Sequence, residues 1–225
     1  MDGSGHMYKS LIQCLADEYE CTVISLSQTG DQSYVKQARA IAEQIANDKV
    51  VLFAESYSGY IALLVSQLKP DNVKHIIFAA SFISNPNWLT KFSALLPIAL
   101  LLVRITPNFV INLLCFGNQA DSAMLKKFRH SLKSVNTAAL KQRLKNMSAL
   151  TKSKESIIQP CTLIQASKDY LLSRDAIEYF ERSCANSNVI RLHGGHFIAQ
   201  SNIEGSAAVI RGVIEKLDLN LTKDA

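Results

Sequence analysis

Short, continuously apolar runs recur along this chain at intervals too long for hairpins. CTVISLS (21–27), VVLFAES (50–56), VKHIIFAAS (73–81), CTLIQAS (161–167) and NVIRLHG (188–194) each read as a strand. Side chains of a strand alternate between the two faces of its sheet, so a run without polar alternation must be covered on both. Between these runs the spacing turns helical. Tyr8 to Tyr19 carries Leu11, Ile12 and Leu15, and Ser33 to Asn47 opens on a serine suited to a helix cap and sets Ala38, Ile41, Ala42 and Ile45 on one face. GYIALLVSQLK is helical and closed by Pro70, and further helices are expected from about Arg174 to Cys184 and from about Ile203 to Leu217. Strands alternating with helices predict an α/β fold, a mostly parallel sheet with helices on both faces. In such sheets, ligands bind at the carboxyl ends of the strands.

Composition narrows the function classes. Five Cys (14, 21, 115, 161, 184) form no C-x-x-C pair and no metal-ligand spacing, and their odd number suits free thiols and a cytoplasmic setting. Residues 1 to 20 lack the apolar core of a secretory signal. The longest apolar run, Ala94 to Val103, contains Pro97 and is too short to span a bilayer, so it reads as a buried helix. The net charge of +5 is concentrated between Asp121 and Glu155, where nine basic residues face two acidic ones. No zinc-finger, basic-zipper or aromatic-glycine pattern accompanies them, which argues against nucleic acid as a partner.

The second strand ends in AESYSG. A serine that attacks a carbonyl must be held above the sheet edge, and a strand turning sharply into a helix does this if the positions two before and two after it are small. Around Ser56 these are Ala54 and Ser58; around Ser58 they would be Ser56 and the bulky Tyr60, so Ser56 is the candidate nucleophile. Asp169 follows the strand CTLIQAS, and His196 follows NVIRLHG. The order Ser, Asp, His on separate strand-end loops suits a triad, with His196 as base and Asp169 orienting its ring. His193 is a rival base inside the strand pattern, and Asp175 a rival acid that reads as a first-turn helix charge.

MDGSGHMYKSLI (1–12), AESYSG (54–59), ASKDYL (166–171) and GGHFIAQSN (194–202) together resemble the α/β-hydrolases. The resemblance is to small bacterial serine hydrolases whose first loop reads L-P-G-x-D-G-[ST]-G and whose elbow reads A-E-S-[FY]-S-G, a group that includes carboxylesterases and the pimeloyl carrier-protein methyl ester esterases. It implies an α/β-hydrolase fold with a helical lid insertion and no metal or organic cofactor. It also implies an oxyanion hole made by the backbone N–H of Tyr57 and a donor from the first loop. Met1 stands where the family places a strand ending in Leu-Pro-Gly, so that donor would fall to the backbone of Met1 or Asp2, and the first strand or strands are missing on this reading. A start assigned too late, a lost leading strand and a cloning remnant (GSGHM) are the alternatives for this end.

The expected division is a first core part at 1–84, a lid at 85–158 and a second core part at 159–225. The lid begins strongly apolar and ends basic. That pattern points to an ester or thioester substrate with a hydrophobic acyl part, carried on a phosphopantetheine carrier or coenzyme A whose acidic group the basic half attracts. Two other readings stay open: a catalytically weak or inactive protein that binds a hydrophobic ligand under the lid, and a lyase or cofactor-free haloperoxidase on the same three residues.

Overall fold

The computed structural model describes residues 3–86, 106–152, 157–184 and 186–217. Among the described residues four parallel strands form one sheet in the order β1 (Val50–Glu55), β2 (Val73–Ala79), β3 (Cys161–Lys168) and β4 (Ser187–Gly195). Each strand thus lies beside its neighbour in the sequence. Val51 pairs with His75, Ile76 with Cys161, and Leu163 with Val189, which brings the carboxyl ends of all four strands to one edge.

The apolar runs are continuous because the sheet is covered on both sides. In β2, Ile76 and Phe78 belong to one core cluster while Ile77 and Ala79 belong to the other, each at most 1% exposed. Burying side chains of this size contributes roughly 1.5–3 kcal/mol apiece. The first face is covered by α2 (Tyr34–Ile45), α3 (Ser58–Leu68) and α7 (Arg174–Ser183), which contribute Ala38, Ile61 and Phe180. The second is covered by α1 (Lys9–Leu15) and α9 (Ile203–Leu217), through Leu11, Leu15, Ala207 and Ile210. Local chemistry sets these ends: the Ser33 hydroxyl caps α2 by accepting from the Lys36 N–H, and Pro70 follows the end of α3.

Two expectations are corrected. CTVISLS is not a strand: a β-branched run joins a sheet only where a neighbour completes its ladder, and here the segment runs beside the Gly3–Ser4 loop. Leu26 donates to the Gly3 carbonyl at 2.8 Å, the Ser25 hydroxyl donates to the Ser4 carbonyl at 2.9 Å, and Val23 is left 39% exposed. In β4 burial is not continuous, because the strand lies at the end of the sheet; Val189 is 44% exposed.

Between β2 and β3 lie α4 (Asn108–Phe116), α5 (Ser122–Ser134) and α6 (Thr137–Ser148), with Asp121 and Asn136 capping the last two. Ile111, Phe116, Leu125 and Phe128 make a third core cluster there. A short helix, α8 (Ile198–Ser201), precedes α9. The apolar run from Ala94 to Val103 lies outside the described residues. Among the described residues no helix is long and apolar enough to cross a membrane.

Candidate active site

Ser56 sits at the turn between β1 and α3 with φ of +56°, in the left-handed region that non-glycine residues rarely occupy. The turn is hooked onto the end of β2: the Ser56 N–H donates to the Ala79 carbonyl at 3.0 Å, and the Ser81 hydroxyl donates to the Ala54 carbonyl at 2.7 Å. Space around it is small. A Cβ on Gly59 would stand 2.7 Å from Ser81 Cβ, so the helix can leave the strand this abruptly only with glycine at that position. Ser58 lies inside α3, its hydroxyl donating to the Glu55 carbonyl at 2.8 Å.

The structure brings together the three residues that strand-end position singled out. Ser56 Oγ lies 2.7 Å from His196 Nε2, and His196 Nδ1 lies 2.8 Å from Asp169 Oδ2. Asp169 Oδ1 accepts the Leu171 N–H at 2.8 Å and the Leu172 N–H at 3.1 Å. Burial opposes the charge on Asp169, but the His196 ring and those two N–H groups outweigh it and hold the carboxyl below its ordinary range. An ionised Asp169 only accepts, so the His196 proton lies on Nδ1 and Nε2 is free to accept from the Ser56 hydroxyl. The rivals lie elsewhere. His193 is exposed and within reach of Ser167 and Gln119, whereas Asp175 pairs with Lys152 at 2.7 Å on the surface.

Tyr57 is the N-cap of α3 and directly follows Ser56, at a helix start where the dipole favours developing negative charge. Its ring is 1% exposed and stacks on Tyr34 with centroids 4.8 Å apart. Burial pushes its phenol up to about 12, against the pull of the Arg143 guanidinium. Met1 and Asp2 lie outside the described residues. Gly3 and Gly5, which follow them, both have positive φ, and a Cβ on Gly3 would stand 2.7 Å from Arg143 Nη1.

The histidine loop is fastened from the far side by α4. The Phe197 N–H donates to the Cys115 carbonyl at 2.9 Å, and a Cβ on Gly195 would stand 2.3 Å from the Gly117 nitrogen. Phe116, Phe128 and Phe197 pack together, and the His196 ring meets the Phe197 ring edge to face at 5.5 Å.

Three contributors were not legible in advance. Glu55 is a buried carboxylate next to the candidate nucleophile, its acidity weakened by burial although Ala199, Tyr8, Gln200 and His196 all favour its charge. Arg143, one of the nine basic residues between Asp121 and Glu155, is 0% exposed; it donates to the Gln32 side chain at 3.0 Å and the Ser27 carbonyl at 2.6 Å. Cys115, at the end of α4, offers the carbonyl that holds Phe197. Only Glu55 carried a signal, as a charge inside an otherwise apolar strand. Among the described residues no group of three or more His, Cys, Asp and Glu is disposed to hold a metal ion.

A family model described as serine aminopeptidase, S33, matches residues 27–194. No curated protein sequence matches the chain. Among solved structures, a hydrolase from Oleispira antarctica superposes with a TM-score of 0.78 at 17% identity, over 98% of this chain and 89% of that one. A thermophilic esterase from Thermogutta terrifontis gives 0.77 at 16% identity, over 96% and 87%. An esterase from Exiguobacterium antarcticum gives 0.77 at 15% identity, over 95% and 88%. At such identities the likeness is one of fold.

Proposed function

Because the chain belongs to the serine aminopeptidase S33 family of hydrolytic enzymes with the α/β-hydrolase fold, we propose that it cleaves a carboxylic ester or thioester with a hydrophobic acyl part through Ser56, His196 and Asp169. The observation that carries this reading is the unbroken relay of 2.7 Å and 2.8 Å contacts ending on a serine held at positive φ.

Ser56 Oγ attacks the carbonyl carbon while His196 Nε2 takes its proton, and Asp169 stabilises the imidazolium that results. The tetrahedral oxyanion is received by the Tyr57 N–H and, on the family pattern, by a second backbone donor of the first loop. His196 returns the proton to the departing alcohol or thiol, leaving an acyl-enzyme. Water, deprotonated by the same imidazole, then releases the acid and restores the Ser56 hydroxyl.

Residues 85–158 act as the lid, and α5 and α6 carry Lys126, Lys127, Lys133, Lys141 and Lys145 exposed on its surface. These support attraction of a substrate attached to an acidic carrier or to coenzyme A. A fluorophosphonate probe should label the wild-type protein and not Ser56→Ala, and p-nitrophenyl esters should report the preferred acyl length. Labelling that persists in Ser56→Ala removes the nucleophile assignment; a folded wild type that neither labels nor turns over esters favours a ligand-binding role instead. For the carrier, kcat/KM should fall steeply with salt on a carrier-linked substrate and stay flat on a neutral ester; an equal response removes that part.

A further inference from the structure

Glu55 places a carboxylate in a 5%-exposed position directly before the candidate nucleophile. Its Oε1 accepts the Ala199 N–H at 2.9 Å, and its Oε2 accepts the Tyr8 hydroxyl at 2.9 Å and the Gln200 side-chain amide at 3.2 Å. Ala199 and Gln200 belong to α8, which begins two residues after His196. Tyr8 closes the short turn His6–Tyr8 that follows the Gly3–Gly5 loop, and its ring meets Phe53 of β1 edge to face at 6.3 Å. One carboxylate therefore joins the nucleophile strand, the histidine loop and the first loop.

A purely mechanical tie at this position would not need a charge. Burying a carboxylate costs several kcal/mol even when its oxygens are well satisfied, and an amide or apolar side chain avoids that cost. No Lys or Arg among the described residues pairs with Glu55; the titratable group bonded to it is Tyr8, and His196 acts on it only through space, favouring its charge. The imidazole is the group that becomes positively charged during acyl transfer, so the negative charge is useful at that moment.

We propose that Glu55 is a positioning residue for the reaction: it holds the histidine and first loops to the nucleophile strand and adds, beside Asp169, a second anion that stabilises the His196 imidazolium. The proposal rests on the triad reading above. It predicts an effect on turnover and on its pH dependence, with little effect on substrate binding.

The test is Glu55→Gln, which keeps the size and removes the charge, assayed with a p-nitrophenyl ester across pH. Wild-type labelling by fluorophosphonate, absent in Ser56→Ala, is scored first, because its failure strikes the triad reading and not the role of Glu55. With labelling in place, Glu55→Gln should lower kcat about 10- to 100-fold, leave KM within about 3-fold, and move the acidic limb of kcat/KM to lower pH by about half a unit or more. Glu55→Asp, shorter but charged, should restore the limb more than it restores kcat. If Glu55→Gln does not fold, Tyr8→Phe and Gln200→Leu, which each remove one donor from the same carboxylate, should each lower kcat about 3- to 10-fold at unchanged KM. A folded Glu55→Gln with wild-type kcat and an unmoved acidic limb overturns the proposal, as does a lowered Tm with both kinetic readouts unchanged. Wild-type kcat in both Tyr8→Phe and Gln200→Leu overturns it where Glu55→Gln is unfolded.

Discussion

Asp169→Asn replaces one oxygen by an NH2 group, and the geometry fixes which one. Oδ1 accepts from the N–H groups of Leu171 and Leu172, at 2.8 Å and 3.1 Å. Turning the new amide there would set its NH2 against two donors, each loss costing roughly 1–3 kcal/mol in a buried site. The oxygen must therefore stay on the loop, and the NH2 must face His196 Nδ1, 2.8 Å from the present Oδ2. A donor at that place forces the imidazole to carry its proton on Nε2, where it meets the Ser56 hydroxyl across 2.7 Å as a donor and no longer as a base. The same change in a well-known serine protease lowers kcat about 10⁴-fold, or about 5.5 kcal/mol at 1.36 kcal/mol per decade, and a loss of that order is expected here. The assay is kcat on a p-nitrophenyl ester together with the rate of fluorophosphonate labelling, in a variant whose thermal melt stays near wild type. A folded Asp169→Asn with less than a 10-fold loss in both would refute the tautomer argument and with it the role given to Asp169.

Other outcomes follow from the same contacts. Gly195→Ala should abolish activity and lower Tm, because its Cβ would enter the Phe116–Gly117 backbone at 2.3 Å; a soluble variant with wild-type kcat would show that α4 yields. Phe116→Ala removes a fully buried ring from the Phe128–Phe197 cluster and should cost about 3–5 kcal/mol by urea denaturation, with under 1 kcal/mol contradicting the packing. Burial lowers His75 from 6.5 to about 4, so the unfolded chain takes up this proton before the folded one. Stability should therefore fall as pH drops from about 6.5 to about 4, and His75→Asn should flatten that part of the stability profile; an unchanged slope excludes His75 as its source.

Much of the fold was legible because its causes are local. Ile203–Leu217 and Val50–Glu55 follow from periodicity and apolar runs, and the strand-end residues follow from where those runs stop. CTVISLS misled because its composition is strand-like while its ladder depends on a neighbour the segment itself does not encode. The site divides in the same way. Ser56 was marked by the small residues around it, a constraint within five positions. Glu55 meets Ala199 across 144 positions and Arg143 meets Ser27 across 116, and no local pattern announces such pairings. A charge count shows Arg143 only as one of nine basic residues in its segment; packing puts it in the core, with a backbone carbonyl as a partner.

The attachment of Phe197 to Cys115, and of Gly195 to the Phe116–Gly117 backbone, has a practical side. If the segment between β2 and β3 is the lid proposed above, exchanging it for that of a relative is a route to a new substrate range. Here such a graft would also replace the support under His196, so a chimera that binds well could still turn over slowly. A donor segment would have to bring its own carbonyl to the Phe197 amide and a backbone that tolerates Gly195. On that reading substrate range and reactivity have to be engineered together, with residues 115–117 kept as the shared joint.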